Sequence, residues 1–90
     1  MAWRIEFEEA AKKELSQLDR STQSRIIKYL RERIAPSESP RDFGEALRGN
    51  LSGLWKYRVG EYRLVVEIQD EEICVLVVRV GHRRKEYRGH

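Results

Sequence analysis

The pattern of apolar and polar positions in the first third of the chain predicts a strand followed by two helices. Trp3, Ile5 and Phe7 alternate with Arg4 and Glu6, and this period of two is typical of a half-buried strand. Apolar residues then recur at helical spacing in two stretches: Ala11, Leu15 and Leu18, and, after a polar break at residues 19–21, Ile26, Ile27, Leu30 and Ile34. Two helices joined by so short a break form a helical hairpin.

The second half of the chain is predicted to form three antiparallel strands. Pro36 and Pro40 end the second helix and begin a loop. Three apolar stretches, 54–59, 62–69 and 72–80, follow with two-residue turns between them, a spacing that favours an antiparallel meander. We therefore predict an α+β fold, in which the N-terminal strand and the meander form one small sheet packed by helices on one face.

Alternation along the first two strands of this meander sorts the side chains into two faces. Tyr57 and Leu64 belong to an apolar set that we expect beneath the helices. Lys56, Arg58 and Arg63 occupy the alternate positions and are expected on the open face. The sequence therefore predicts a group of cations on the side of the sheet away from the helices.

A basic segment follows the last predicted strand directly. It contains His82, Arg83, Arg84, Lys85 and Tyr87. Arginine and lysine neutralise phosphate, and an aromatic ring can stack on an unpaired base. Because this tail leaves the sheet near the predicted cations, we expect Arg83 and Tyr87 to complete a concave basic patch that holds RNA. The alternative is a solvated basic tail that only keeps the fold soluble.

Length and charge fit one small domain with a basic surface. The chain of 90 residues is predicted to be a single domain, 1–90, with a thin core. Its net charge is +3. Residues 1–46 carry nine Lys or Arg and nine Asp or Glu, whereas residues 47–90 carry nine and six, so the whole excess lies in the second half. A basic surface of this kind attracts polyanions.

Several other kinds of site are excluded by the residues present. Segment 49–53 lacks the lysine of a phosphate-binding loop, and one cysteine with two histidines is too few for a structural zinc site. Cys74 lies among valines, where a buried free thiol is expected rather than a nucleophile. We predict no metal and no cofactor. The free thiol, and the lack of a signal peptide or of about 20 consecutive apolar residues, favour a soluble cytoplasmic protein without a membrane partner.

The predicted cations have the chemistry that RNA phosphodiester transfer requires. The 2′-hydroxyl must lose a proton, the phosphorane needs its extra negative charge stabilised, and the 5′-oxygen must gain a proton. The candidate catalytic residues are Lys56, Arg58, Arg63, Arg83 and Tyr87, and the candidate RNA-binding residues are Arg48, His82, Arg84 and Lys85. Crowding by other cations makes it easier for a lysine to lose its proton and act as a base. The alternative is that these arginines only pair with Glu61, Glu67 and Glu86.

The ordered set of motifs resembles the RelE/ParE superfamily of bacterial and archaeal toxins from type II toxin–antitoxin pairs, and it does so over nearly the whole chain. The resemblance is carried by Trp3-Arg4-Ile5-Glu6-Phe7, the hairpin ending before Ser39-Pro40-Arg41, Leu47-Arg48-Gly49-Asn50-Leu51, the strands from Leu54 to Ile68, and Val80-Gly81-His82-Arg83 with Tyr87. Single pieces are weak, but the set at these spacings is specific. The chain is identified on this basis as a RelE-like member.

The resemblance implies an activity and a role for each site residue. RelE-branch toxins are ribosome-dependent mRNA endonucleases that cut in the A site, whereas ParE-branch toxins poison DNA gyrase. The implied roles are proton acceptance by Lys56, charge stabilisation by Arg63, proton donation or phosphate contact by Arg83, and base stacking by Tyr87. RelE-type sites carry two alternating lysines where this chain has Lys56 and Arg58, and arginine holds phosphate but hardly acts as a base.

His82 has three open roles. Histidine is a frequent general acid or base in catalysis, so it can assist in either way. A phosphate contact and plain exposure to solvent are the alternatives.

The resemblance also implies partners. Such toxins are silenced by a cognate antitoxin, here expected to be RelB-like, and act on the ribosome and mRNA; promoter DNA is bound only through the antitoxin. Trp3, Leu51 and Leu54 lie near predicted edges and serve either the core or an interface, with the core favoured for Trp3. The leading hypothesis is an mRNA interferase that inhibits translation. A ParE-like gyrase inhibitor and an inactive, decayed toxin are the alternatives.

Overall fold

A mixed β-sheet with helices on one face makes up residues 2–82, the part of the chain that the computed structural model describes. In chain order the elements are β1 Arg4–Phe7, α1 Glu9–Ser16, α2 Arg20–Tyr29, β2 Glu45–Ala46, β3 Trp55–Val59, β4 Tyr62–Gln69 and β5 Cys74–His82. A π-helical turn, Leu30–Ile34, prolongs α2, and short 3₁₀ turns lie in the loops. The predicted α+β fold is confirmed.

The sheet contains the predicted meander and one strand more than predicted. Its strand order is β1-β5-β4-β3-β2, and β4 is antiparallel to both β3 and β5. β1 pairs in parallel with β5 at one edge, and β2 pairs antiparallel with β3 at the other. The prediction missed β2 because a strand of two residues shows no periodicity along the sequence.

The helical hairpin is confirmed, and its break is built around Asp19. The carboxylate of Asp19 accepts hydrogen bonds from the hydroxyls of Thr22 at 2.6 Å and Ser21 at 2.7 Å, and these bonds lower the pKa of Asp19. Three residues of the predicted apolar stripe are fully buried: Ile26, Leu30 and Ile34. The stripe therefore anchors the second helix and its π-helical extension in the core.

The main core lies between the helices and one face of the sheet. Tyr57 of β3 and Leu64 of β4 are direct partners across the two strands, and both are completely buried in this core, as predicted. The hydroxyl of Tyr57 donates a hydrogen bond to the carbonyl oxygen of Pro40 at 2.9 Å. Since both groups are buried, this bond fastens the loop before β2 to the centre of the sheet.

The opposite face of the sheet also buries side chains. Val65 and Cys74 are buried, although neither belongs to the cluster beneath the helices. Cys74 pairs in register with Arg4, which forms an ion pair with Glu6 at 3.0 Å. Cys74 is a buried free cysteine, as predicted. Its burial raises the pKa of the thiol.

The first half of β5 pairs with β1, whereas its second half is bound by a side chain of α1. Val78 has no partner on β4, which makes it the extra residue of a β-bulge. β1 ends at Phe7, and beyond that point the carboxylate of Glu14 accepts hydrogen bonds from the backbone N–H of Val80 at 2.7 Å and from Nε of Arg79 at 2.9 Å. Helix α1 therefore fixes the end of β5 that precedes the basic tail.

The apolar residues near the edges divide between core and surface. Trp3 packs against the core, and its backbone N–H donates to the carbonyl of Ala35 at 2.7 Å, which confirms the core assignment. Leu54 is half-buried. Leu51 is 46% exposed and Phe43 is 40% exposed, so the loops flanking β2 present apolar surface to solvent.

Replacing Tyr57 by phenylalanine should lower the free energy of unfolding by about 1–3 kcal/mol, because the buried carbonyl of Pro40 would lose its hydrogen-bond donor. The measurement is chemical denaturation of the purified protein. Tyr29→Phe is the matched control, since the Tyr29 ring packs on Tyr57 at 5.9 Å but its hydroxyl has no hydrogen-bond partner within residues 2–82. Equal stability of the two variants would contradict this role of the Tyr57 hydroxyl.

Candidate active site

Three of the predicted catalytic side chains lie together on the sheet face opposite the helices. Arg58 of β3 pairs directly with Arg63 of β4, and Lys56 lies two residues before Arg58, opposite Val65. Tyr57, between Lys56 and Arg58, points into the main core, so its neighbours point to the other face. We refer to Lys56, Arg58 and Arg63 as the cationic cluster.

The three members of the cationic cluster differ in exposure. Arg58 is exposed, the side chain of Lys56 is 12% exposed, and Arg63 is 5% exposed. The prediction of an open face is therefore wrong for Arg63 and holds only in part for Lys56. Arg63 lies on β4, which is flanked by β3 and β5, whereas Lys56 and Arg58 lie on β3 next to the two-residue edge strand β2.

The arginine pair concentrates positive charge at one point. Residues directly opposite each other in an antiparallel pair have Cβ atoms about 4.5–5.5 Å apart, and like charges there repel. Arg58 and Arg63 hold such positions. The arrangement is favourable when an anion lies between or beside the two guanidinium groups.

One anion beside the cluster belongs to the protein itself and was missed by the sequence analysis. Glu45 of β2 pairs in register with Lys56, and its Oε1 atom lies 3.2 Å from Nζ of Lys56. The hydrogen bond from Lys56, its charge, and the charges of Arg58 and Arg63 lower the pKa of Glu45. Lys56 thus pairs with Glu45, a partner that the sequence analysis did not consider.

Gly44 explains how β2 approaches β3 closely enough to place Glu45. A Cβ atom at position 44 would lie 2.8 Å from the carbonyl oxygen of Lys56 and 3.0 Å from the ring of Tyr57. Only glycine fits this close approach without a shift of the backbone. The contact between Glu45 and Lys56 therefore depends on a missing side chain one residue earlier.

His82 lies near the cluster but on the other side of the sheet. It is the last residue of β5 and pairs with Tyr62, and the two rings meet edge to face at 5.3 Å. Its Nε2 atom is 3.9 Å from a carboxylate oxygen of Glu61. Tyr62 packs against the main core, whereas Gly81 is the residue paired with Arg63. By alternation His82 belongs to the helix side.

The remaining predicted site residues are not joined to the cluster by the described structure. Arg48 is exposed and precedes the 3₁₀ turn Gly49–Leu51 in the loop between β2 and β3. Four predicted residues lie outside the described part of the chain: Arg83, Arg84, Lys85 and Tyr87. Their convergence with the cluster stays a prediction.

Two other arginines are held in structural ion pairs. Arg79 binds Glu14, as described above. Arg41 donates two hydrogen bonds to the carboxylate of Asp70, at 2.7 and 2.9 Å, which lowers the pKa of Asp70, and its guanidinium lies 5.8 Å from the ring centre of Trp55. These contacts join the loop before β2 to the turn between β4 and β5.

Residues 2–82 contain no group of three His, Cys, Asp or Glu side chains placed to hold a metal ion. The face that carries the cationic cluster has three positive side chains and the carboxylate of Glu45. No helix in the same range is both long and apolar enough to cross a bilayer.

A family model described as the ParE toxin of type II toxin–antitoxin systems, parDE, matches residues 5–87. The chain therefore belongs to this family of toxins, within the RelE/ParE superfamily that the motifs predicted.

Individual relatives lie on the RelE side of the superfamily. Toxin RelG of Mycobacterium tuberculosis is 31% identical over 98% of this chain and 99% of the relative. The mRNA interferase toxin RelE of Escherichia coli K12 is 34% identical over 94% of this chain and 87% of the relative. A toxin structure from the RelBE2 toxin–antitoxin complex of Mycobacterium tuberculosis matches with a TM-score of 0.84 and 28% identity, over 92% of this chain and 93% of that one. The predicted RelE-like fold is confirmed.

Gly44→Ala should lower the free energy of unfolding by about 1–3 kcal/mol, because the new methyl group would be forced against the backbone of Lys56 and the ring of Tyr57. Chemical denaturation measures the change. Ser52→Ala is the matched control, since Ser52 is exposed in the loop between β2 and β3. A Gly44→Ala protein as stable as the control would show that β2 does not need this close approach.

Proposed function

We propose that the protein is an mRNA endoribonuclease toxin that cuts mRNA in the ribosomal A site without a metal ion and leaves a 2′,3′-cyclic phosphate. The observation that carries this proposal is the facing pair Arg58 and Arg63, with Lys56 beside them on the same face. The RelE relative from Escherichia coli, named an mRNA interferase toxin, supports it.

The cationic cluster suits the charge that develops during phosphodiester transfer. Attack of the 2′-oxygen makes a phosphorane with one more negative charge than the diester, and fixed donors aimed at that charge lower the barrier. Arg58 and Arg63 supply planar, permanently charged donors on facing strands. Binding of a phosphate between them would also relieve their mutual repulsion.

The tail residues complete the proposed site. Arg83 is proposed to contact the phosphate or to protonate the 5′-oxygen, and Tyr87 to stack on a base next to the cut. Arg48, Arg84 and Lys85 are proposed to bind the RNA backbone. The position of His82 on the helix side of β5 favours a supporting contact over direct proton transfer at the cluster.

We further propose that a cognate RelB-like antitoxin silences this toxin. The similar structure from Mycobacterium tuberculosis is a toxin–antitoxin complex. Leu51 and Phe43 offer apolar contacts, and the net charge of +3 favours a partner with acidic segments. Promoter DNA is then bound through the antitoxin and not through this chain.

Gyrase inhibition is the second candidate function, because the matching family is described as the ParE toxin. That function requires a surface for gyrase and gives no role to the facing arginines. A supercoiling assay with purified gyrase therefore belongs beside the cleavage assay.

Arg58→Ala and Arg63→Ala should each slow mRNA cleavage on programmed ribosomes by about 10²-fold or more, because each removes a donor from the developing charge. Arg58 is exposed, so its variant is expected to fold normally. Arg4→Ala is the matched control: Arg4 lies on β1, at the edge of the sheet away from β3, and pairs with Glu6. A single 2′-deoxynucleotide at the cut site should block the parent enzyme.

Two outcomes would contradict the proposed function. One is cleavage by both arginine variants at the rate of the Arg4→Ala control. The other is inhibition of supercoiling by a parent protein that leaves ribosome-bound mRNA intact, which would establish the gyrase function instead.

A further inference from the structure

The second helix and its π-helical extension carry a concentration of positive charge on the helix side of the sheet. Residues 20–34 contain five arginine or lysine residues and one acid, Glu32, although residues 1–46 as a whole are neutral. All five of these basic side chains are exposed: Arg20, Arg25, Lys28, Arg31 and Arg33. The neutral first half of the chain therefore contains a basic surface of its own.

The five basic side chains of this segment are not held by acidic neighbours. None of them forms an ion pair with a carboxylate of residues 2–82, whereas Arg4, Arg41, Lys56 and Arg79 each do. Lys28 and Arg31 are also like charges three residues apart, a spacing that destabilises a helix unless an anion lies near. These cations are therefore available to an anion from outside the chain.

Three of the cations form one stripe. Arg20, Ser24 and Lys28 follow one another at intervals of four residues, and Arg31 comes three residues after Lys28, so all four fall on one face of the helix. The same four residues line one surface groove. We refer to Arg20, Lys28 and Arg31 as the basic stripe.

The dimensions and chemistry of the basic stripe suit a chain of phosphates. Arg20 and Lys28 are eight residues apart, which is about 12 Å along a helix and too far for both to bind a single phosphate. The exposed large apolar side chains of residues 2–82 are Phe43 and Leu51, and both lie in the loops flanking β2. The stripe therefore lacks the apolar anchors with which an amphipathic protein helix would dock.

The basic stripe and the cationic cluster lie on opposite sides of the sheet. Helix α2 and its extension pack on the main core through Ile26 and Leu30, and the cluster lies on the face away from that core. A ligand on the stripe therefore leaves the cluster free. A folded RNA that surrounds the toxin can contact the stripe while a single strand occupies the cluster.

We propose that the basic stripe is a second RNA-binding surface, which holds the phosphate backbone of double-stranded RNA while the cationic cluster acts on mRNA. Ser24 is exposed between Arg20 and Lys28, and its hydroxyl can both donate to and accept from a 2′-hydroxyl, a group that DNA lacks. The inference rests on the proposed function for the source of this RNA, since a ribosome that presents mRNA to the toxin also surrounds it with folded RNA.

The test is equilibrium binding of the toxin to a labelled RNA hairpin at several salt concentrations. Lys28→Gln/Arg31→Gln should weaken binding by about 10-fold or more and make the slope of log affinity against log salt shallower by about 2, one for each lost phosphate contact. Lys12→Gln/Lys13→Gln is the matched control, because it removes the same charge from exposed lysines of α1. The control should bind like the parent, and neither variant should melt at a lower temperature.

A cleavage assay on programmed ribosomes separates docking from chemistry. Lys28→Gln/Arg31→Gln should raise the toxin concentration that gives half the maximal rate by about 10-fold and leave the rate at saturation within about 2-fold of the parent. Arg58→Ala should do the reverse, because Arg58 belongs to the cluster. A lower rate at saturation with an unchanged half-saturating concentration would contradict a docking role for the stripe.

The binding outcomes also decide the kind of partner. Equal affinity of the stripe variant and the lysine control for the hairpin would overturn the inference. So would a DNA duplex of the same sequence that binds as tightly as the RNA, or a polyglutamate peptide whose binding depends on the stripe when RNA binding does not. A parent that binds the hairpin through the stripe but does not cleave mRNA would overturn the proposed function and leave this surface standing.

Discussion

The pairing of β3 with β4 is the constraint on which the rest of this structure depends. It places Arg58 opposite Arg63 on one face, and it places Tyr57 opposite Leu64 on the other. The second pair is fully buried beneath the helices, so the apolar core fixes the register. A slip of one residue would expose the core pair and bury the charges, which makes the register, and with it the arginine pair, strongly specified.

A carboxylate at the sheet edge balances this concentration of charge. Gly44 lets β2 approach β3, and β2 then presents Glu45 to Lys56. The described face thus combines the three cations of the cluster with the exposed carboxylate of Glu45.

The sequence predicted the parts of this site that depend on strict alternation. Lys56 and Arg58 flank Tyr57 in a five-residue strand, so their shared face follows from a period of two. Glu45 could not be predicted, because its contact depends on a two-residue strand and on a close approach at Gly44. His82 could not be placed either. The bulge at Val78 adds one residue to β5 and thereby moves His82 to the helix side.

The most direct test is a structure of the toxin with a dinucleotide whose 2′-hydroxyl is methylated and therefore uncleavable. The account predicts that the phosphate lies within hydrogen-bond reach of Arg58 and Arg63, at about 2.7–3.2 Å from their nitrogen atoms. A phosphate bound on the helix side of the sheet, or one that contacts neither arginine, would contradict it.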